Sequence, residues 1–323
     1  MLARTQEAPK LGGQSGTIGG SNVAAILGKS PWAGPYDVWE TAVLGRNDIT
    51  SEAIERGSRL EPIVAELFKR RHPKLVCMEP SVETILHPSD NRFTASIDLE
   101  AWHQEGTIAG LVELKTANKK ADWWNAPPEY YQYQLQHYLW IRGVKAGWLC
   151  CFQASEEVFR MVDTIEDAEK ALDRKSARFF SHKVIADPNY ETEVVPKLIE
   201  FYENHIATKT PPPVDSSEGC SRVLKRLYPE HQGYVEMSDA VLKAVRSRSY
   251  WATTIKAAKA SKTEAENIIR SELKGRESAI NPEAMNLFRH AETDEDIKQA
   301  MKAIQYSVRI SEHQDRIYVK GVE

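Results

Sequence analysis

Two alternating segments joined by a four-residue turn constrain the fold more than any other part of this sequence. The segments are FTASIDLEAW and TIAGLVELKT, and HQEG separates them. This pattern predicts an antiparallel hairpin. Because side chains alternate across a strand, Glu113 and Lys115 share one face of the second arm, and the opposite face is expected to form the core. Charged residues in such a place need a partner, and Asp98 on the first arm is a candidate.

A helix and a further strand are expected to follow the hairpin. The leucines of PPEYYQYQLQHYLWIRG recur at helical spacing, and AGWLCCFQ is a short apolar run typical of a buried parallel strand. Strand, helix and strand in this order imply a right-handed crossover that lays the helix over the sheet. Gln134 and Tyr138 then share a helix face, which either overlooks the charged end of the hairpin or is the solvated side of the helix.

An earlier helix supplies another acid. In ERGSRLEPIVAELF an apolar stripe predicts an amphipathic helix, and Glu61 lies at the edge of that stripe rather than on the open side. A carboxylate at such an edge is costly unless it meets a cation or a metal ion. Glu61 therefore joins the hairpin acids as a candidate functional residue.

Acids, a lysine and a glutamine in this arrangement are suited to hydrolysis of a phosphodiester bond. Hard cations such as Mg²⁺ prefer oxygen ligands. The candidate ligands for one or two ions are Asp98, Glu113, the backbone carbonyl of Leu114, and Glu61. Lys115 is a candidate to position or deprotonate the attacking water, and Gln134 to orient the lysine or the water. A Glu-x-Lys pair on a strand is by itself more often a cross-strand ion pair, so that interpretation stays open here.

Composition excludes several classes of protein. With 323 residues, 41% apolar and 27% charged, the chain is neither disordered nor fibrous. Its net charge of -4 excludes a broadly basic nucleic-acid coat, so any nucleic-acid contact must be local. No run of about 18 apolar residues and no apolar signal core is present, which predicts a cytoplasmic protein without membrane insertion. The four cysteines lack metal-binding spacing and are expected to be buried thiols.

Three successive prolines in TKTPPPVD mark the strongest break along the chain. They favour a stiff, extended connector. We expect a domain of mixed helices and strands over residues 1–210 and a mostly helical region over residues 211–323. In that region a proline-free run from Ser238 to Gly275 predicts a helical hairpin or one projecting helix, and the alternating tail predicts two short strands.

The chain resembles the PD-(D/E)xK nuclease superfamily and, more narrowly, the YqaJ-type phage recombination exonucleases related to lambda exonuclease. The resemblance covers residues 14 to 230. Its motifs, in order, are TIGGSNVAAILGKSPWAGPYDVWETAVLG, ERGSRLEPIVAELF, FTASIDLE, LVELKT, YYQYQLQHYLWIRG and FYENHIATKTPPPVDSSE. Several motifs in the right order make the signal specific.

This resemblance implies an α/β fold in which a small mixed sheet is flanked by helices, followed by a mostly helical C-terminal extension. The implied catalytic core is Asp98, Glu113 and Lys115, with Glu61 completing the metal site and Gln134 as the first glutamine of a Gln-x-Gln motif. Two departures stand out. The segment SIDLE stands where the family has Pro-Asp-Gly. A gap-free count back from Ser21 reaches Gln14 at the position where lambda exonuclease has an arginine for the 5′ phosphate. The residue that recognises the DNA end therefore stays unassigned.

The implied activity is removal of one strand of linear double-stranded DNA from its 5′ end, which leaves 3′ overhangs for a phage-type single-strand annealing protein. One or two Mg²⁺ ions are the implied cofactor, and Mn²⁺ is expected to substitute. A ring-shaped homo-oligomer, expected to be a trimer, would confine positive charge to its channel.

The expected DNA contacts are local side chains: Ser21, Arg56, Arg59, Lys119, Lys120, Trp123, its neighbour Trp124, and Tyr138. A helix cap is the equal alternative for Ser21, and a solvated loop with two core aromatics is the alternative for residues 119–124. Two other functions stay open: an endonuclease or single-strand exonuclease on the same fold, and a catalytically inactive DNA-binding or assembly protein.

Overall fold

The computed structural model describes residues 16–45, 52–118, 123–229, 236–274, 278–280, 307–310 and 317–320. The chain divides into two compact units, Met1–His231 and Gln232–Glu323. In the described part of the chain, no helix has the length and apolar character needed to cross a bilayer. All four cysteines are free thiols; Cys150, Cys151 and Cys220 are buried as expected, whereas Cys77 is partly exposed.

A five-stranded mixed sheet is the centre of the first unit. Its strands, in spatial order, are β2 (Val76–Met78), β5 (Leu99–Trp102), β6 (Ile108–Asn118), β7 (Ala146–Ala154) and β8 (Ala177–Ile185). A second, three-stranded sheet has the order β1 (Ile18–Gly19), β4 (Asp90–Ala95) and β3 (Ile85–His87). β6 and β7 run parallel and the other pairs of the large sheet are antiparallel, which confirms the predicted parallel strand after the crossover helix.

Helices cover both faces of the large sheet. They are α1 (Gly20–Ile26), α2 (Pro35–Leu44), α3 (Glu52–Arg71), α4 (Glu129–Arg142), α5 (Glu156–Arg160), α6 (Ile165–Asp173), α7 (Val195–Phe201) and α8 (Glu218–Leu227). Single π-helical turns flank α7 at Tyr190–Val194 and Tyr202–Ala207. A mixed fold with small sheets flanked by helices is therefore confirmed.

The core has two layers, which corrects the expectation that only one face of β6 is buried. Val112 and Leu114 pack with α3 in one apolar cluster. Leu111 and Ala117, on the same face as Glu113, pack with α4 in the other. Glu113 and Lys115 therefore sit in a charged gap within a covered face of the sheet, since α4 lies over them.

The first arm of the predicted hairpin is not one strand. β4 belongs to the small sheet and β5 to the large one, and Asp98 lies in the bend between them. The β5–β6 ladder begins at the Leu99–Val112 pair. Beyond this pair, the Leu114 N–H donates a hydrogen bond of 2.7 Å to Asp98 Oδ2. The Asp98 side chain thus takes the place of the backbone carbonyl that would continue the ladder. The antiparallel pairing of the two arms is confirmed only for residues 99–102.

The first unit extends past the boundary expected at residue 210. α8 packs on α2 through two ion pairs, Arg222 with Asp37 and Arg226 with Glu40, whose carboxylates are buried. The Ser217 side chain caps α8 by accepting the Cys220 N–H at 3.0 Å. The segment after the prolines, up to residue 231, is thus part of the first unit rather than of the second.

The second unit holds one long helix and a small sheet. α9 (Asp239–Leu273) is a single helix of 35 residues rather than a helical hairpin, and Ser238 caps it. Its sheet has the order β11 (Ile317–Lys320), β10 (Ser307–Ile310) and β9 (Ser278–Ile280). The two terminal strands were predicted, and they pair antiparallel; β9 was not predicted.

Candidate active site

Glu113 is the centre of a buried charged cluster. Its side chain is 2% exposed, and its Oε1 atom accepts hydrogen bonds from Lys115 Nζ and, at 2.7 Å, from Gln134 Nε2. The Gln134 amide also donates to the Tyr138 hydroxyl at 3.0 Å. The structure therefore brings together Glu113 and Lys115 from β6 with the predicted face of α4. Of the three glutamines in QYQLQ, Gln134 is the one that reaches the cluster, because Gln132 and Gln136 bond backbone groups elsewhere.

Asp98 and Glu61 lie beside this centre. Asp98 is partly buried and held to β6 by the Leu114 N–H. Glu61 is on α3 and is exposed, which corrects the expectation that it does not lie on the open side of that helix. Desolvation, followed by the negative charge of Asp98, nevertheless raises its pKa. The charge of Lys115 acts in the opposite direction on Glu61. The four charged residues predicted for the site thus interact with one another.

The carboxylates of the cluster are destabilised in their ionised forms. Burial, followed by the charge of Asp98, raises the pKa of Glu113 to about 8 even though Lys115 lowers it. Burial also raises the pKa of Asp98, against the effect of Lys115 and the Leu114 N–H. For Lys115, burial would lower the pKa, but the charges of Glu113 and Asp98 outweigh it and raise the pKa. One lysine therefore does not neutralise the acids around it.

The donor set fits a hard divalent cation on chemical grounds. Glu113 Oε2 is buried and has no hydrogen-bond partner within the described residues. A buried carboxylate oxygen without a partner, beside a second carboxylate, is a place where an added cation lowers the free energy. Within the described ranges, however, no three His, Cys, Asp or Glu side chains are arranged to hold a metal together. Asp98, Glu113, the Leu114 carbonyl and Glu61 all stay predicted ligands.

Several predicted DNA contacts have other partners in this structure. Arg56 bonds Glu156 at 2.6 Å and Thr116 at 3.4 Å, and Arg59 bonds the Phe159 and Val162 carbonyls. Both arginines therefore attach α3 to the region around α5. Their role in binding DNA stays a prediction.

The predicted aromatic contacts differ in exposure. Trp123 is 1% exposed and Tyr138 is 3% exposed, so neither ring can stack on a base in this conformation. Trp124 is 70% exposed and lies 5.3 Å from the Arg178 guanidinium. The core alternative is therefore correct for Trp123 and wrong for Trp124.

Ser21 is exposed in the first turn of α1 but does not cap it. Gly19 is the cap residue, and its N–H bonds the Asn22 side chain at 3.0 Å. α1 nevertheless lies against the site helix, since a Cβ on Gly20 would come within 2.4 Å of the Tyr138 ring. Lys119, Lys120 and Gln14 lie outside the described residues.

Tyr131 is a site residue that the sequence reasoning missed. Lys115 Nζ lies 5.0 Å from the centre of the Tyr131 ring, a cation–π distance. Tyr131, Gln134 and Tyr138 follow the three- and four-residue spacing of one helix face. That spacing was available in the sequence and would have identified Tyr131 together with Gln134 and Tyr138.

Comparison with known proteins relates part of the chain to a family model. Residues 11–145 match the YqaJ-like viral recombinase domain, a range that contains every residue of the charged cluster. An uncharacterized protein, YqaJ of Bacillus subtilis (strain 168), is 25% identical over 270 residues, which is 80% of this chain and 76% of that protein.

Two solved structures are similar at lower identity. An alkaline exonuclease (LHK-Exo) from Laribacter hongkongensis is 18% identical, covers 66% of this chain and 95% of its own, and has a TM-score of 0.42. A phage related exonuclease from Haemophilus somnus 129PT is 10% identical, covers 60% of this chain and 96% of its own, and has a TM-score of 0.40. Over residues 11–145 the chain is thus similar to the YqaJ-like viral recombinase domain.

Proposed function

We propose that this chain is a divalent-metal-dependent exonuclease that degrades one strand of linear double-stranded DNA from its 5′ end. The single observation that carries the proposal is the pair of carboxylates formed by the buried Glu113 and the partly buried Asp98, which Lys115 alone does not neutralise. Nucleases of this kind generally use divalent metals. Mg²⁺, with one or two ions bound and Mn²⁺ as a substitute, is the proposed cofactor.

The residues of the cluster have distinct roles in this proposal. A bound divalent ion would supply an activated water and neutralise charge on the phosphate. Asp98 and Glu113 would hold that ion. Lys115 is charged at neutral pH because its pKa is raised. It therefore stabilises the negative charge on the pentacoordinate phosphorus rather than acting as a base. Gln134 fixes the Glu113 carboxylate through its 2.7 Å hydrogen bond.

The finer parts of the proposal concern product and partners. The product is a 3′ single-stranded overhang, which a phage-type annealing protein would bind in the cytoplasm. A homo-oligomeric ring, expected to be a trimer, would keep the enzyme on its DNA, because the chain as a whole has a net charge of -4. Support for a role in recombination comes from the similarity of residues 11–145 to a domain described as a viral recombinase.

Cleavage of end-labelled DNA tests the proposal. Linear duplexes labelled separately at the 5′ and 3′ ends, and a closed circular duplex, are incubated with Mg²⁺ or with chelator. The variants are Glu113→Gln and, as a matched control, Glu157→Gln, since Glu157 is an exposed glutamate on α5 outside the cluster.

The expected result is stepwise loss of the 5′ label that needs both Mg²⁺ and Glu113, with the circle intact and Glu157→Gln equal to the parent. A cut circle would establish an endonuclease, and earlier loss of the 3′ label would reverse the polarity. Intact DNA with retained binding would show a DNA-binding protein without activity.

A further inference from the structure

Trp32 is a large aromatic side chain held in solvent by a well-defined loop. Its side chain is 68% exposed. The loop between α1 and α2 is fixed, because Ser30 Oγ accepts the N–H groups of Trp32 and Ala33 at 3.3 Å and the Ser30 N–H bonds the Ala24 carbonyl at 3.1 Å. Lys29, in the same loop, forms an ion pair with Glu129 at the start of α4, at 3.4 Å. The exposure of Trp32 is therefore a defined feature of the surface.

An aromatic column joins this surface tryptophan to the charged cluster. The Trp32 and Tyr130 rings meet edge to face, with centres 6.4 Å apart. Tyr130 lies against Tyr131, with ring centres 4.4 Å apart, and Tyr131 lies 5.0 Å from Lys115 Nζ. The column runs from solvent to the lysine of the proposed catalytic site, so a nucleic acid bound at the cluster passes close to Trp32.

We propose that Trp32, supported by Tyr130, is a stacking site for an unpaired nucleobase of the DNA bound at the cluster. This inference rests on the proposed nuclease function. Bases inside a duplex have both faces covered by neighbouring bases, whereas an unpaired base near a DNA end offers a free face. An aromatic ring stacks on any of the four bases, so the site gives no sequence preference, as an enzyme that moves along DNA requires.

Exposure alone does not make a tryptophan a binding residue, and α9 offers a comparison. Trp251 is 57% exposed, and its recorded ring contact is with Tyr250, 5.1 Å away. Tyr250 is itself 64% exposed. What distinguishes Trp32 is its fixed loop and its continuity with Lys115. Trp251→Ala is therefore the matched control for removing an exposed tryptophan.

The test combines protein variants with abasic DNA. Fluorescence anisotropy, in chelator so that no cleavage occurs, measures the affinity for duplexes with short unpaired ends and for the same duplexes carrying one abasic nucleotide at successive positions of either strand. We expect Trp32→Ala to weaken binding about tenfold, Trp32→Phe to restore most of it, and Trp251→Ala to match the parent. At one or two abasic positions, the difference between the parent and Trp32→Ala should disappear.

Two results would overturn the inference. One is equal affinity of Trp32→Ala and the parent for intact DNA. The other is a loss of affinity in Trp32→Ala, relative to the parent, that has the same size at every abasic position. Such a result would show that Trp32 acts through the loop and not through a base. Because binding is measured without metal, an inactive parent protein would refute the nuclease proposal and leave the stacking test valid.

Discussion

Replacing Glu113 with glutamine should make the metal-free protein more stable while it abolishes cleavage. Burial and the charge of Asp98 raise the pKa of Glu113 from 4.5 to about 8. Since one pH unit corresponds to about 1.4 kcal/mol, this carboxylate costs on the order of 3–4 kcal/mol of folding free energy at pH 7.5. Glutamine keeps nearly the same shape and does not have to take up a proton on folding. Lys115 then loses one of two carboxylate neighbours, which offsets part of the gain and leaves about 1–2 kcal/mol.

The sign of the pH dependence follows from the raised pKa. Between pH 4.5 and 8 the folded protein binds a proton at Glu113 that the unfolded chain has released. The contribution of Glu113 to the free energy of unfolding is therefore full below pH 4.5 and is lost as the pH rises toward 8. The Glu113→Gln variant does not lose stability in this way. The difference in stability between the variant and the parent should therefore grow from pH 5 to pH 8.

Thermal unfolding in chelator measures this difference. For a chain of this size, about 1 kcal/mol corresponds to about 2–4 °C in the midpoint. Adding Mg²⁺ should raise the midpoint of the parent and of the control Glu157→Gln, but not that of Glu113→Gln. A variant less stable than the parent in chelator at pH 8 would refute the reasoning. The Glu113–Lys115 contact would then be an ordinary stabilising ion pair rather than part of a cation site.

Three further predictions concern the same unit. Lys115→Ala should slow cleavage about a hundredfold or more with DNA binding retained; equal rates would remove Lys115 from the mechanism. Gly20→Ala should cost about 1–3 kcal/mol of stability and slow cleavage, because its Cβ would lie 2.4 Å from Tyr138 and displace Gln134; an unchanged midpoint and rate would contradict this packing. Burial lowers the pKa of His137 to about 3, with the Ile18 and Thr94 carbonyls partly opposing it. As the pH falls, His137 is protonated in the unfolded chain before it is protonated in the folded protein, so stability should fall as the pH drops from 6.5 toward 3. His137→Gln should flatten that fall in denaturant titrations. Equal slopes for His137→Gln and the parent would contradict it.

Part of the site follows directly from backbone geometry. The two-residue period of a strand places Glu113 and Lys115 on one face wherever the strand lies, and their hydrogen bond agrees with that prediction. The helical period likewise places Gln134 and Tyr138 together. These contacts could be predicted because neighbours along one element determine them.

Other parts depend on tertiary contacts that a local pattern does not contain. Alternation through residues 93–102 continues across Asp98, although the chain changes sheets there and the Asp98 side chain bonds the Leu114 N–H. Trp123 and Trp124 are adjacent and chemically identical, yet one is buried and the other exposed. The ion pair of Arg56 joins residues 100 positions apart. Composition and spacing carry no information on such long-range partners.

Binding of Mn²⁺ is the most direct test of the central claim that Asp98 and Glu113 hold a divalent cation. Electron paramagnetic resonance of free Mn²⁺, titrated with the parent protein, with Asp98→Asn, with Glu113→Gln and with the control Glu157→Gln, gives the bound fraction for each. The parent and Glu157→Gln are expected to take up one or two Mn²⁺ ions, which Mg²⁺ displaces, and the two cluster variants are expected to bind Mn²⁺ far more weakly. Equal uptake by all four proteins, or none by the parent at millimolar Mn²⁺, would contradict it.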